Sequence, residues 1–141
     1  MIGKTIDQLQ KGDCDTFSKT ISESDVYLYA GITGDLNPAH VDEEYARNTF
    51  FKSRIAHGML TGGLISTVVG TKLPGPGSIY REQNLVFLAP VRFGDTITAR
   101  VEVSEMDIEK NKITLHTTCT NQEGTRVVDG KAVINPPKKR S

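Results

Sequence analysis

The sequence predicts an α+β fold in which an antiparallel sheet wraps around one central helix. Three observations carry that prediction. Residues 79 to 134 hold four strand-length runs, of which 97–103 and 113–119 alternate cleanly between apolar and polar side chains. The stretch 57 to 72 is the one long segment with an apolar face at helical spacing. Short turn-forming triplets separate the last runs closely enough for hairpins, and consecutive hairpins make an antiparallel sheet.

From the amino end, Phe17 lies in a polar/apolar stretch that suits a first strand. Ser22-Glu23-Ser24-Asp25 matches a capping box: the Ser22 hydroxyl covers free N–H groups and Asp25 reaches back. A short helix from about Glu23 to Ala30 follows, ending near Gly31 and Gly34. Gly34 to His40 reads as an ordered turn or extended loop, because Pro38 drives Asn37 out of the helical region. Asp42, Glu43 and Glu44 place acids where a helix N-terminus favours them, so a second short helix runs to Arg47 or Asn48.

In the central helix, Leu60, Leu64 and Val68 recur every four residues, with Met59, Ile65 and Val69 beside them. Pro74-Gly75-Pro76-Gly77 stops it. The helix also contains Gly58, Gly62, Gly63 and Gly70. Interior glycine costs about 0.5–1 kcal/mol relative to Ala, so several together imply close approach of a sheet or a ligand. The strands follow: 79–88, ending before Pro90, then 97–103, 113–119 and 127–134. Glu109-Lys110-Asn111 and Gln122-Glu123-Gly124 supply the turns.

A chain of 141 residues is the size of a single domain, 1–141, and buries a core without disulfides or metals. Lys and Arg number 17, as do Asp and Glu, so no basic excess is available to neutralise a nucleic-acid backbone. The one basic cluster, Lys138-Lys139-Arg140, reads as a solvated tail. Cys14 and Cys119 form no metal or redox motif, and Cys119 falls on the apolar phase of its strand. No run approaches the roughly 18 apolar residues of a membrane span. Residues 1–13 lack the continuous apolar region of a secretory leader. A cytoplasmic location without membrane or nucleic-acid partners is the expectation.

Three constellations could carry chemistry. Asp35 and His40 place a carboxylate and an imidazole five positions apart across a Pro-stiffened turn, which suits acid–base work on a water and equally suits an ordinary turn. Asp35, His40 and Asp42 offer donors acceptable to a hard or borderline cation, although their spacing matches no specific metal motif. His57-Gly58 opens the apolar helix. Free N–H groups there could hold a carbonyl oxygen, or Gly58 could simply relieve a packing clash.

The run Gly34-Asp35-Leu36-Asn37-Pro38-Ala39-His40-Val41-Asp42 resembles the signature of the MaoC-like (R)-specific enoyl-CoA hydratases. Ile55-Ala56-His57-Gly58-Met59 resembles that family's second landmark, and Leu73-Pro74-Gly75 with Gly77-Ser78-Ile79-Tyr80, and Pro90-Val91 with Gly94-Asp95, are also similar to the family. Ala39 departs from the pattern, in which a larger aliphatic residue is usual. The resemblance implies a hot-dog fold and a homodimer with sheets joined edge to edge. It implies reversible syn hydration of a trans-2-enoyl-CoA to an (R)-3-hydroxyacyl-CoA. It makes Asp35 and His40 the catalytic pair, the Gly58 N–H the oxyanion donor, Ser66 a pocket residue and Asn37 an orienting residue of the loop. Coenzyme A is then a substrate handle, with no metal or redox cofactor. A hot-dog acyl-CoA thioesterase and a non-catalytic acyl-CoA binding module are the alternatives.

Overall fold

The computed structural model describes residues 1–139, so Arg140 of the basic tail lies outside the described residues. Lys138 and Lys139 are exposed, and Lys139 pairs with Asp7 at 3.0 Å. The elements run β1 (Cys14–Thr20), α1 (Glu23–Thr33), α2 (Pro38–Val41), α3 (Glu43–Arg47), α4 (Gly58–Thr71), β2 (Ile79–Phe87), β3 (Thr96–Asp107), β4 (Lys112–Thr120) and β5 (Arg126–Asn135).

All five strands join one antiparallel sheet in the order β1-β3-β4-β5-β2. The meander expected from the sequence holds only for β3, β4 and β5. Strand β2 pairs with β5 rather than with its successor β3, so the intervening segment crosses the sheet. The reason lies in residues 88–95. Val91 is buried there and its carbonyl accepts the Ala56 N–H at 2.8 Å, which pins the connection beside α4. Gly130 makes the β2–β5 pairing possible: a Cβ there would meet the Asn84 carbonyl oxygen at 1.8 Å.

The core lies between the concave sheet face and α4. Ile97, Val101, Leu115 and Ile134 face Leu64, Ile65 and Val68, all of them in one buried cluster. Fully burying such a side chain is worth about 1.5–3 kcal/mol, so the wrap of sheet around helix is what stabilises the fold. Cys119 belongs to this layer, and burial pushes its thiol up to about 12. It is a core residue and no nucleophile. The predicted close approach to α4 occurs at two of the four glycines. A Cβ on Gly58 would meet the Phe87 ring at 2.7 Å, and one on Gly62 would meet Leu85 at 2.8 Å. Gly63 and Gly70 face open space. No described helix is long and apolar enough to cross a membrane.

Candidate active site

Helix α1 forms as the capping box requires, with the Ser22 hydroxyl accepting the Asp25 N–H and the Asp25 carboxylate accepting the Ser22 N–H. It runs one turn beyond Ala30 and stops at Gly34, whose φ of 81° a side chain would strain. Of the expected ordered turn or extended loop, residues from Pro38 on are helical instead. Pro38 sits at the first position of α2, where its missing N–H costs nothing, and the Asn37 side chain caps the helix by accepting the Ala39 N–H. His40 therefore rides on a helical turn. Asn37 orients that turn.

Asp42 caps α3 by accepting the Tyr45 N–H, which points it away from Asp35 and His40. The cluster that forms consists instead of Asp35, His40 and His57, with one donor atom from each within 4.8 Å of the others. The His40 and His57 rings stack, with centroids 3.9 Å apart and planes at 32°. His40 Nδ1 and His57 Nε2 are each taken by a backbone carbonyl, which leaves one nitrogen per ring for proton chemistry.

Each ring is fixed by a backbone carbonyl. His40 Nδ1–H donates to the Ile55 carbonyl at 2.7 Å, which leaves Nε2 as the free nitrogen. His57 Nε2–H donates to the Asp35 carbonyl at 3.0 Å. Burial lowers the His40 pKa from its ordinary 6.5. The Ile55 carbonyl opposes that shift, the neighbouring His57 adds to it, and Asp35 opposes it. Arg54 braces the surrounding shell. Its guanidinium bonds Glu43 of α3 at 2.7 Å and Glu23 of α1 at 3.2 Å, and packs 4.9 Å from the Phe93 ring.

His40 and Gly58 open onto a cavity of about 470 Å³. The rest of its wall is almost wholly apolar, including Phe51, Met59, Phe87, Val91 and Val128. Gly58 is the first residue of α4, and the preceding His57 gives no side-chain capping bond. The first-turn N–H groups therefore keep their positive character where the cavity begins.

Residues 8–125 match the MaoC like domain model. The chain belongs to the MaoC-like domain family. Over 131 residues it is 53% identical to an (R)-specific enoyl-CoA hydratase of Rhodospirillum rubrum, covering 93% of this chain and 90% of that protein. It is 47% identical to a 3-hydroxybutyryl-CoA dehydratase of Methylorubrum extorquens, covering 94% of this chain and 84% of that protein. The structure of R-hydratase PhaJ1 from Pseudomonas aeruginosa superposes with a TM-score of 0.92 at 44% identity, covering 97% of this chain and 88% of that one. The hot-dog fold follows.

Within this MaoC-like chain, the structure gathers Asp35, His40 and Gly58 at the amino end of α4. It does not bring Ser66 there. Ser66 is exposed on the helix and absent from the cavity wall of this chain. Sequence reasoning singled out His57-Gly58 for the Gly58 backbone, gave the His57 side chain no role, and passed over Thr61. Both are buried, and each has a polar atom without a partner, Nδ1 and Oγ1. The available signal was polar residues one turn apart on an otherwise apolar helix face.

Proposed function

We propose that this chain is an (R)-specific enoyl-CoA hydratase, adding water reversibly to a trans-2-enoyl-CoA to give an (R)-3-hydroxyacyl-CoA. The observation that carries the reading is the meeting of Asp35, His40 and the Gly58 helix end beside an apolar cavity, in a chain so similar to named hydratases. The acyl chain enters the cavity, and its thioester oxygen receives the Gly58 N–H. One oxyanion donor is typically worth about 2.7–4 kcal/mol. A water sits between Asp35 and His40 Nε2. As its oxygen bonds to C3, the pair accepts a proton, Asp35 first, and returns one to C2 on the same face. The enolate is held in between. Water is thus consumed whole, and neither metal nor redox cofactor is required, because the thioester acidifies C2.

The enzyme works as a homodimer in the cytoplasm. Edge strand β2 supports the dimer. Ile79, Val86, Phe87 and Leu88 stand about half exposed along it or just beyond, apolar surface that a second copy would cover. Two free thiols support a reducing compartment.

The test is loss of enoyl absorbance with crotonyl-CoA, alongside free-thiol release and chiral analysis of the product. Hydration to the R product without thiol release is expected. Thiol release instead would establish the thioesterase alternative, and binding without turnover the binding module.

A further inference from the structure

His57 is 2% exposed and sits at the cap of an apolar helix. A buried imidazole needs a reason, because burial strips its nitrogens of water. One nitrogen has a partner and the other has none: Nε2 lies 3.0 Å from the Asp35 carbonyl, and Nδ1 is buried alone. A carbonyl only accepts, so the hydrogen is on Nε2 and Nδ1 is bare. The ring itself is held between His40 at 3.9 Å and Tyr29 at 4.7 Å. The other bonds of Asp35 stay within its own loop, from its N–H to Thr33 Oγ1 and to its carboxylate from the Asn37 N–H. Among the described residues, His57 is what ties Asp35 to α4, whose first residue is Gly58.

We infer that His57 is a positioning residue for the hydration, clamping the Asp35 backbone through its Nε2–H and carrying the His40 ring on its face. This rests on the hydratase reading. One side chain thereby sets the spacing of all three working groups: the Asp35 carboxylate, the His40 Nε2 and the N–H end of α4. Displacing one reacting group by about 1 Å can cost 100-fold in rate, so the device has something to protect. The titratable groups facing the stacked pair are Asp35 from its loop and Tyr29 from α1. The cavity wall from β2, β5 and residues 88–91 is apolar.

Nitrogen-correlated NMR of the full chain reads the histidine tautomers without any turnover. A proton on His57 Nε2 and a bare Nδ1 are expected; the reverse tautomer overturns the clamp. His57→Phe keeps a ring face but loses the donor. Its kcat on crotonyl-CoA should fall about 10- to 100-fold with KM little changed, the pattern of lost positioning rather than lost binding. His57→Gln returns an N–H at similar reach and should recover most of that kcat. A purely structural residue would change yield or Tm and leave kcat per folded molecule in place. A folded His57→Phe protein with parental kcat overturns the inference. A parental chain that hydrates nothing overturns the hydratase reading itself, a result distinct from parental turnover with insensitive His57 variants.

Discussion

Towards its carboxyl end, α4 presents Ile65, Val68 and Val69 to the sheet, each at most 1% exposed and each wholly apolar. At its amino end the same helix buries His57 and Thr61 just as deeply, yet leaves a polar atom of each without a partner. Glycines at 58 and 62 let Phe87 and Leu85 come close there, while nothing packs against Gly70 at the other end. One end is built for burial alone. The other accepts unsatisfied polar groups, which native cores avoid and functional sites tolerate. Stability and chemistry are thus separated by about two helical turns.

The largest test of that separation is Asp35→Asn. Asp35 is exposed and supports no core contact, so Tm should hardly move. Its kcat for hydration should fall by about 100- to 10,000-fold, the range for acid–base groups. Paired thermal melts and crotonyl-CoA kinetics measure both. Ile65→Ala is the mirror experiment. Truncating this fully buried side chain should remove about 2–5 kcal/mol of stability, seen in urea melts, with kcat per folded molecule retained.

A smaller effect is expected from Gly58→Ala. The added methyl meets the Phe87 ring, which can rotate because the residue is half exposed, so the fold should survive. The shift changes the cavity mouth, and kcat/KM should drop about tenfold for a fraction-of-an-ångström misfit. The mildest perturbation is pH. His40 must be unprotonated for Nε2 to accept from water. Its lowered pKa keeps it so in more acid solution than a free imidazole, so the acid limb of kcat/KM should be centred below 6.5. An acid limb centred above 6.5 would contradict the site as described.

Much of this contrast is legible in the chain. Spacing at 60, 64 and 68 marks the helix and its buried face, and alternation marks β3 and β4. The Ser22–Asp25 capping box forms as read, since caps depend only on neighbours. Asp35, His40 and Gly58 were nameable because two short motifs, 34–42 and 55–59, hold them in sequence. The β2 pairing was not legible. Its partner is set by where the 88–95 connection packs, and a strand's own residues do not encode that.

The sequence by itself determined the local elements, the apolar layers that must meet, and the residue types able to move a proton. Only the tertiary structure decided which groups meet. It set aside Asp42 as a cap, left Ser66 on an exposed face, and stacked His57 under His40. The physical reason is range. Capping and periodicity act over three or four residues, whereas Asp35 and His57 are 22 positions apart and become neighbours only when α4 is buried in the sheet.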